Sequence, residues 1–229
     1  MLPLVTSVGL LAAGALAHGA LHRNSPLFGR VLSQAGPGRR IALTFDDGPN
    51  PRATPAILDA LGDAGVAATF FVLGRHADRW PGLVERTHHE GHLLANHGWH
   101  HRKLHLRSPR WVRDDIAAGA RAVERAAGVA TALFRAPHGF RAPWVVPTAH
   151  ALAHRVVGWS LGVWDSATPG VDTIIRRTVE GVRPGSIVLL HDGDGYDPAG
   201  DRMQTAAALP AIIRELRARG YEFVTLADA

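Results

Sequence analysis

IALTFDDGP, residues 41–49, is an apolar run that ends abruptly in two adjacent acids and a turn. A short hydrophobic segment bounded by Gly-Pro is typical of a buried strand, and Asp46 and Asp47 follow the point where that strand leaves the core. Taken alone, such acids are more often solvated turn residues than functional groups. Their meaning depends on what the rest of the chain places beside them.

Beyond this stretch the chain alternates between apolar strands and helices. Nearly continuous apolar runs are typical of parallel strands covered by helices, so we predict an α/β fold whose parallel sheet is either open or closed into a barrel. Ser108 followed by Pro109 favours a helix that begins there. The predicted strands are 41–45, 67–73, 92–95, 132–134, 155–159, 186–190 and 221–225, and the predicted helices are 51–64, 80–90, 108–127, 143–153, 172–181 and 202–219.

The composition narrows the classes of function. The chain has no cysteine, so it can form neither a disulfide framework nor a thiolate metal site. Its 25 Lys and Arg residues, among which Lys103 is the only lysine, give a net charge of +5. These charges are spread along the chain rather than clustered in a stripe, so we expect no nucleic-acid partner. A length of 229 residues suits one α/β domain.

The first 21 residues form a hydrophobic segment. Residues 2–21 contain no Asp, Glu, Lys or Arg and are about as long as a bilayer span. We interpret residues 1–21 as an anchor or a signal segment, with a buried helix as the alternative. This predicts a membrane-associated or exported protein; cleavage of the segment and the side of the membrane stay open. Residues 22–38 are predicted as a linker and residues 39–229 as the domain.

Polar residues collect at the carboxyl ends of the predicted strands, where α/β folds bind their ligands. The first strand ends in DD at 46–47. Other strands lead into NHGWHH at 96–101, RAPHG at 135–139, WD at 164–165 and HDGD at 191–194. Unrelated surface residues would not all fall at strand ends, so we expect a single site on this rim.

Two histidines and two acids on that rim suggest a metal centre. His97 and His101 are four residues apart, so on a helical turn both imidazoles would share one face and could bind one cation. We assign Asp47 as the third ligand, which gives a two-histidine, one-acid set. Asp46 is then the general base and His191 the proton donor. Zinc is the default divalent ion for this set, and Co, Ni, Fe or Mn are compatible.

Each of these features has a simpler explanation when it is taken alone. His-x-x-x-His is weak evidence in a chain with 14 histidines, and His100 also lies at a helical spacing from His97. Arg135 could pair with a surface acid, while Trp159 and Trp164 could be packing residues. The hypothesis depends on the joint placement of the motifs.

Together the motifs resemble those of the polysaccharide deacetylase family, which has the NodB homology domain and is carbohydrate esterase family 4. TFDDGP at 44–49 is similar to the first family motif, NHGWHH at 96–101 to the second, RAPHG at 135–139 to the third and GSIVLLH at 185–191 to the fifth. The resemblance covers about residues 39–227 and implies a distorted (β/α) barrel.

The resemblance also implies a chemistry. The family's activity is metal-dependent hydrolysis that removes acetyl groups from N-acetylated, or O-acetylated, saccharides. By this resemblance Arg135 orients the base, the backbone of the 137–139 turn supplies an oxyanion donor, and Leu189 lines the acetyl pocket. His138 stands where the family commonly has tyrosine, so we expect it to contact substrate and to alter the groove.

Departures from the family pattern bear on the substrate. Gly98 stands where Ser or Thr is usual, so a hydroxyl that fixes the loop is missing. WSLGVWD at 159–165 matches the fourth motif poorly; Asp165 alone aligns, as the residue that orients the catalytic machinery, and Trp164 is predicted to contact substrate. Two rival functions remain at this point: an amidase of the same fold that acts on a non-sugar amide, and a catalytically silent glycan-binding protein. The glycan, its length and the oligomeric state stay open.

Overall fold

The structure, a computed structural model, describes residues 13–227. Its strands are β1 (Arg40–Asp46), β2 (Thr69–Val72), β3 (Leu93–Asn96), β4 (Leu133–Phe134), β5 (Arg155–Val156), β6 (Leu161–Gly162), β7 (Ile187–His191) and β8 (Glu222–Phe223). Its α-helices after β1 are α1 (Ala53–Asp63), α2 (Gly74–Arg79), α3 (Pro81–His89), α4 (Pro109–Ala127), α5 (Val145–Ala151), α6 (Val171–Gly181) and α7 (Met203–Ala218).

The eight strands form one sheet whose pairings are all parallel. The order is β5-β4-β3-β2-β1-β7-β6, and β8 also pairs with β1. Within residues 13–227 the two end strands, β5 and β6, do not pair with each other. Instead Leu32 bridges to Val157 and Gln34 to Ser186, so a non-helical segment lies across the gap. The predicted distorted (β/α) barrel is confirmed, and it is an incompletely closed one.

Strand β1 lies in the middle of the sheet, and its two faces pack in different apolar clusters. Because side chains alternate between the faces of a strand, Ile41, Leu43 and Phe45 pack in the main apolar cluster with helices α1 and α7. Ala42 packs on the opposite face, in the cluster that includes residues of β2, β3 and β7. Asp46 has the same parity as Ala42, so the alternation directs it toward the interior of the barrel.

Most predicted elements are present, with ends that differ by at most three residues. Helix α4 begins as expected: the Ser108 side chain accepts a hydrogen bond from the Trp111 N–H at 3.3 Å. Helix α2 and strand β6 were not predicted, because GRHADR lacks an apolar period and Leu161–Gly162 is too short to give one. The strand predicted at 155–159 pairs only over Arg155–Val156.

The segment before β1 packs on the domain. Residues 1–12 of the predicted anchor lie outside the described residues, whereas residues 13–21 are helical. Within the predicted linker, the Leu32 N–H donates to Val156 O at 2.8 Å, and Ala35 is 3% exposed. Residues 22–38 therefore include fixed parts of the fold. Nowhere in residues 13–227 is there a helix with the length and apolar composition needed to cross a bilayer.

Candidate active site

A cleft of about 720 Å³ opens at the carboxyl ends of the strands. Eight of the ten side chains assigned from the sequence line it: Asp46, Asp47, His97, His101, His138, Trp164, Leu189 and His191. The other two, Arg135 and Asp165, are buried directly behind lining residues. The structure therefore brings together the whole predicted set.

Asp47, His97 and His101 form one buried cluster. Their candidate ligand atoms lie within 4.8 Å of one another. Oδ1 of Asp47 is 3.1 Å from Nε2 of His101 and 3.3 Å from Nε2 of His97. Burial alone would raise the pKa of Asp47, but the two imidazoles hold it well below its usual range. Burial alone would lower the pKa of His97, yet the Asp46 and Asp47 carboxylates raise it.

This cluster suits a divalent cation. Nδ1 of His97 is 2.8 Å from the Arg135 carbonyl oxygen, which can only accept, so Nδ1 carries a hydrogen and, when the ring is neutral, the Nε2 lone pair faces Asp47. Two lone pairs at 3.3 Å repel unless a proton or a cation lies between them. Ligand atoms around a zinc-sized ion at about 2.0–2.1 Å would be spaced by roughly this distance, and two nitrogens with one oxygen are common donors for that ion.

The loop that carries both histidines is not the helical turn that was expected. Residues 97–101 form an irregular loop with positive φ at Gly98 (77°) and His101 (54°). The two imidazoles still approach, with ring centroids 5.4 Å apart. The two imidazoles therefore approach across an irregular loop with left-handed backbone at Gly98 and His101, and not along one face of a helical turn.

His100, the competing ligand, is not part of the cluster. Its Nδ1 lies 2.6 Å from Oδ1 of Asp115 on helix α4, and its side chain is 51% exposed. Asp115 is itself buried and accepts the backbone N–H groups of Trp99 and His100. Nothing in the motif pattern indicated this carboxylate.

Asp46 is held from behind by a buried arginine. Nη1 of Arg135 donates to Oδ1 of Asp46 at 2.6 Å and to the Thr44 hydroxyl at 2.8 Å, while Nη2 donates to Gly158 O at 2.9 Å. The Arg135 side chain is fully buried and its guanidinium lies 3.9 Å from the centre of the Phe71 ring. Arg135 is therefore not a surface salt-bridge residue. The bonded Oδ1 leaves Oδ2 of Asp46 on the side of His97, 3.8 Å from its Nε2.

His191 is held from behind by a buried carboxylate. Its Nδ1 is 2.9 Å from Oδ1 of Asp165, and its backbone N–H donates to Oδ2 at 2.8 Å. The Thr205 hydroxyl donates to the same Oδ2 at 2.9 Å. Burial alone would lower the pKa of His191, but Asp165 outweighs it and raises the pKa to about 9. At neutral pH His191 is an imidazolium that faces the cleft.

His138 forms part of one wall. It lies in the 3₁₀ turn Pro137–Gly139 with φ 60°, and its ring centroid is 4.5 Å from that of His101. Its Nε2 is 2.9 Å from the Tyr196 hydroxyl. Burial and the nearby histidines, His101 first, lower the pKa of His138 to about 4, so the ring is neutral. Trp164, at 73% exposed, presents an aromatic face to the cleft.

Other parts of the cleft wall were missed by sequence reasoning. Residues 21–23, which fall in the predicted anchor and linker, line it, as do Lys103, Phe140 and Tyr196. The loop that holds Tyr196 is fixed by Asp194, which accepts from Arg202 and from the Tyr196 N–H. The sequence GDGYDPAGD at 193–201 signals a turn-rich loop that follows β7 on the predicted rim, but nothing in it indicated that Tyr196 would line the cleft.

Comparison with known proteins agrees with these motifs. The family described as "Polysaccharide deacetylase" matches residues 33–157. A "Chitooligosaccharide deacetylase" from Bradyrhizobium sp. (strain ANU 289) is 40% identical over 193 residues, which cover 80% of this chain and 87% of that one. A "Peptidoglycan-N-acetylglucosamine deacetylase" from Bacillus cereus is 39% identical over 193 residues, covering 82% and 86%.

A solved structure gives the same result. The crystal structure of the Bc1960 peptidoglycan N-acetylglucosamine deacetylase has a TM-score of 0.80 and 34% identity, and the match covers 86% of this chain and 90% of that one. Sequence and fold thus match over most of the length of both proteins. This chain belongs to the polysaccharide deacetylase family.

Proposed function

We propose that this protein is a metal-dependent hydrolase that removes the acetyl group from N-acetylhexosamine units of a glycan. One observation carries the proposal: a proton acceptor, a proton donor and a three-ligand cluster converge in a single cleft. Asp46 and His191 are register partners on the adjacent strands β1 and β7, and Asp47, His97 and His101 lie beside them. Related proteins named for deacetylation of chitooligosaccharide and peptidoglycan support the substrate class.

The roles follow from what each side chain faces. Asp46, bound through Oδ1 to Arg135, accepts the proton of the attacking water. His191 donates its Nε2 proton to the leaving amine nitrogen, and Asp165 on Nδ1 keeps that proton available at neutral pH. A bound divalent cation, for which zinc is the first candidate, would polarise the amide carbonyl and acidify water in the cleft.

The remaining residues of the cleft form the surfaces that contact the substrate. The backbone of the Pro137–Gly139 turn supplies an N–H to the oxyanion. Leu189 is half-buried on β7, beside His191, and offers an apolar surface for the acetyl methyl group. The exposed rings of Trp164 and Tyr196 offer flat surfaces on which a sugar ring can stack. His138 narrows the cleft on the side of His101.

The test combines metal analysis with a substrate panel. Purified protein is stripped of metal, reloaded with zinc or cobalt, and assayed for acetate release from chitooligosaccharides, peptidoglycan, an O-acetylated xylan and a cyclic imide. We expect metal-dependent release from an N-acetylated glycan. Turnover of the imide alone would indicate an amidase on non-sugar substrates, and binding of glycan without any release would indicate a silent binding protein; either result overturns the proposal.

The location of the protein is a separate proposal. We infer from the uncharged residues 2–21 that the protein contacts a membrane or is exported through one. Fractionation of cells that produce the full chain tests this. Recovery of the full-length protein entirely in the cytosolic fraction would contradict it.

A further inference from the structure

The two imidazoles of the metal cluster are supported unequally. Nδ1 of His97 donates to the Arg135 carbonyl at 2.8 Å, and the His97 N–H donates to Val72 O at 2.9 Å. Nδ1 of His101 is buried, and no group in residues 13–227 makes a hydrogen bond to it. Histidine ligands are usually oriented by a partner on the second ring nitrogen. His101 lacks that partner, so its position depends on its backbone and on ring contacts.

The backbone just before His101 is bound to one buried carboxylate. Asp115 on α4 accepts the Trp99 N–H through Oδ2 at 3.2 Å and the His100 N–H through Oδ1 at 3.0 Å. The same Oδ1 is 2.6 Å from Nδ1 of His100. Asp115 is 2% exposed. Hydrogen bonds to an ionised acceptor are stronger than neutral ones, so this carboxylate fixes the two residues that lead into His101.

Glycines allow the carboxylate to reach the loop. A Cβ on Gly98 would lie 2.4 Å from Oδ2 of Asp115, so the carboxylate occupies the space that a side chain at position 98 would need. Gly119 lies one helical turn after Asp115 on the same face of α4, and a Cβ there would lie 2.7 Å from the Gly98 carbonyl. Gly98 and Gly119 thus permit the close approach of α4 that places Asp115 under the loop.

From this geometry we propose that Asp115 is a positioning residue for the metal site: it holds residues 99–100 so that Nε2 of His101 faces Asp47. The inference rests on the proposed metal-dependent function and goes beyond it, because Asp115 touches neither the cluster nor the cleft. The Arg135 carbonyl orients the His97 ring through a direct hydrogen bond, whereas Asp115 orients His101 through the backbone that precedes it. Loss of Asp115 should therefore affect the ligand that lacks a partner of its own.

A purely structural role for Asp115 makes a different prediction. A buried acid that only ties a loop to a helix would lower the stability of the fold when removed, yet the folded protein would bind metal with its usual affinity. A positioning role predicts weaker metal binding by protein that is still folded. Metal affinity and stability therefore have to be measured separately.

The experiment compares three single variants of the full chain. Asp115→Ala removes both acceptors, and Asp115→Asn keeps the volume and one acceptor, so that a folded variant is available. Asp114→Ala is the matched control, because Asp114 is the adjacent acid on α4 and is 71% exposed, and its carboxylate lies 4.0 Å from Nε of the exposed Arg110. The Kd for Zn²⁺ and Co²⁺ is measured by competition with a chelator, and folding is checked by urea unfolding of the metal-free proteins.

We expect Kd to rise about 10- to 100-fold in Asp115→Ala, as is typical when an outer partner of a metal ligand is lost, and less in Asp115→Asn. The visible spectrum of the Co²⁺ form should change as well, because it reports the arrangement of the ligands. Acetate release should recover as metal is added in excess, since the acid and the base are untouched. The Asp114→Ala control should bind metal like the unmodified protein.

A second substitution tests the competition for space. In the unmodified protein Gly98→Ser brings a Cβ against Asp115, so metal affinity and stability should both fall. Because Gly98 has φ 77°, a serine there is strained in either background, but in the Asp115→Ala background its Cβ no longer meets the carboxylate and its hydroxyl can replace one lost acceptor. We therefore expect Gly98→Ser to be less harmful, or to restore affinity in part, only when Asp115 is absent. Equal harm in both backgrounds would contradict the proposed competition.

The outcomes separate this inference from the proposed function. If the unmodified protein binds metal tightly and folded Asp115 variants bind it equally well, the positioning role is wrong while the deacetylase proposal stands. If Asp114→Ala weakens binding as much as Asp115→Ala, the effect is one of helix charge and the positioning role is again wrong. If the unmodified protein binds no divalent metal, both proposals fail together.

Discussion

Each side of the cleft floor has an ion pair between a carboxylate and a cation, but the partner that faces the cleft differs between the two sides. On the β1 side the carboxylate of Asp46 faces the cleft, and its cation, Arg135, is fully buried behind it. On the β7 side the cation, His191, faces the cleft, and its carboxylate, Asp165, is fully buried behind it. The distances are similar, 2.6 Å and 2.9 Å.

The order of each pair decides what the cleft can do. A carboxylate in front of a guanidinium can accept a proton but has none to give. An imidazolium in front of a carboxylate has a proton to give, and the pKa of about 9 for His191 keeps that proton through neutral pH. Which partner of each pair is buried therefore decides whether that side of the cleft accepts or donates a proton. The buried partners, Arg135 and Asp165, set these roles although they do not touch the cleft.

The largest effect should come from the acceptor side. Asp46→Asn keeps the shape but removes the proton acceptor, so we expect the kcat for acetate release to fall by about 10²–10⁴-fold. The matched control is Asp59→Asn, an exposed acid on α1 whose carboxylate pairs with Arg86. Metal affinity should be retained, since Asp47 supplies the ligand atom. Full activity in Asp46→Asn would show that Asp46 is not the proton acceptor.

The donor side should show a large effect that depends on pH. His191→Gln should lower kcat by about 10²-fold at neutral pH, because the leaving amine loses its proton source. As the pH rises through about 9 the unmodified protein loses the same proton. The rates of the two proteins should therefore converge at high pH in a pH profile of kcat. A constant ratio at every pH would show that the imidazole acts in some other way.

Asp165→Asn should shift the pH profile rather than abolish activity. Burial lowers the pKa of His191 and Asp165 raises it, so removal of the charge leaves burial to act and the basic limb of the profile should move to lower pH. Asp47 and Asp46 still raise the pKa of His191, so we expect a loss of roughly tenfold or more at pH 8 and a smaller loss near pH 6. Thr205→Val serves as a control, because it removes one hydrogen bond to Asp165 but no charge. An unchanged basic limb in Asp165→Asn would contradict the pairing.

The smallest effect concerns another buried carboxylate, Asp192, which unlike Asp46 and Asp165 has no cation beside it in residues 13–227. It accepts from the Thr54 hydroxyl at 2.6 Å. Burial first, and Asp47 with it, raises the pKa of Asp192 from 3.8 to about 7. The folded state therefore binds the proton more tightly than the unfolded state, and ionisation costs stability as the pH rises from about 4 to about 7.

Asp192→Asn should remove that cost and stabilise the metal-free protein at pH 8, by about 1–3 kcal/mol. The gain should shrink toward zero near pH 4, and urea unfolding at both pH values measures it. Asp194→Asn gives a control of opposite sign. Burial alone would raise the pKa of Asp194, but nearby backbone N–H groups and Arg202 lower it, so its loss should destabilise the protein at pH 8. The same sign for both variants would refute this account of Asp192.

The motifs at strand ends could be predicted from the sequence because nearly continuous apolar runs that alternate with helices indicate parallel strands. Asp46 follows one such run, and the carboxyl ends of parallel strands meet on one rim. The loop geometry could not be predicted: two positive φ angles at Gly98 and His101 replace the expected helical turn. Spacing along the chain gives proximity, but it does not give the path between two residues.

Contacts between distant segments were also beyond prediction. Asp115 lies on a helix whose pattern indicates only an amphipathic surface, and its role depends on how closely α4 approaches the loop. Leu21 and Arg23 line the cleft although their composition suggested an anchor and a linker. In each case the role of the residue depends on how closely two elements pack, and the hydrophobic pattern of the sequence does not indicate that distance.

The buried Arg141 has a consequence for how the domain can be shortened. Its backbone N–H donates to Ala20 O at 3.0 Å, and its guanidinium donates to His22 O at 2.8 Å and to Ser25 O at 3.3 Å. A truncated protein that began at Arg39 would keep every strand but would leave this guanidinium without those acceptors and would lack one wall of the cleft. The segment before Arg39 therefore serves both the stability of the domain and the shape of the cleft, so a protein shortened to residues 39–229 should lose some of each.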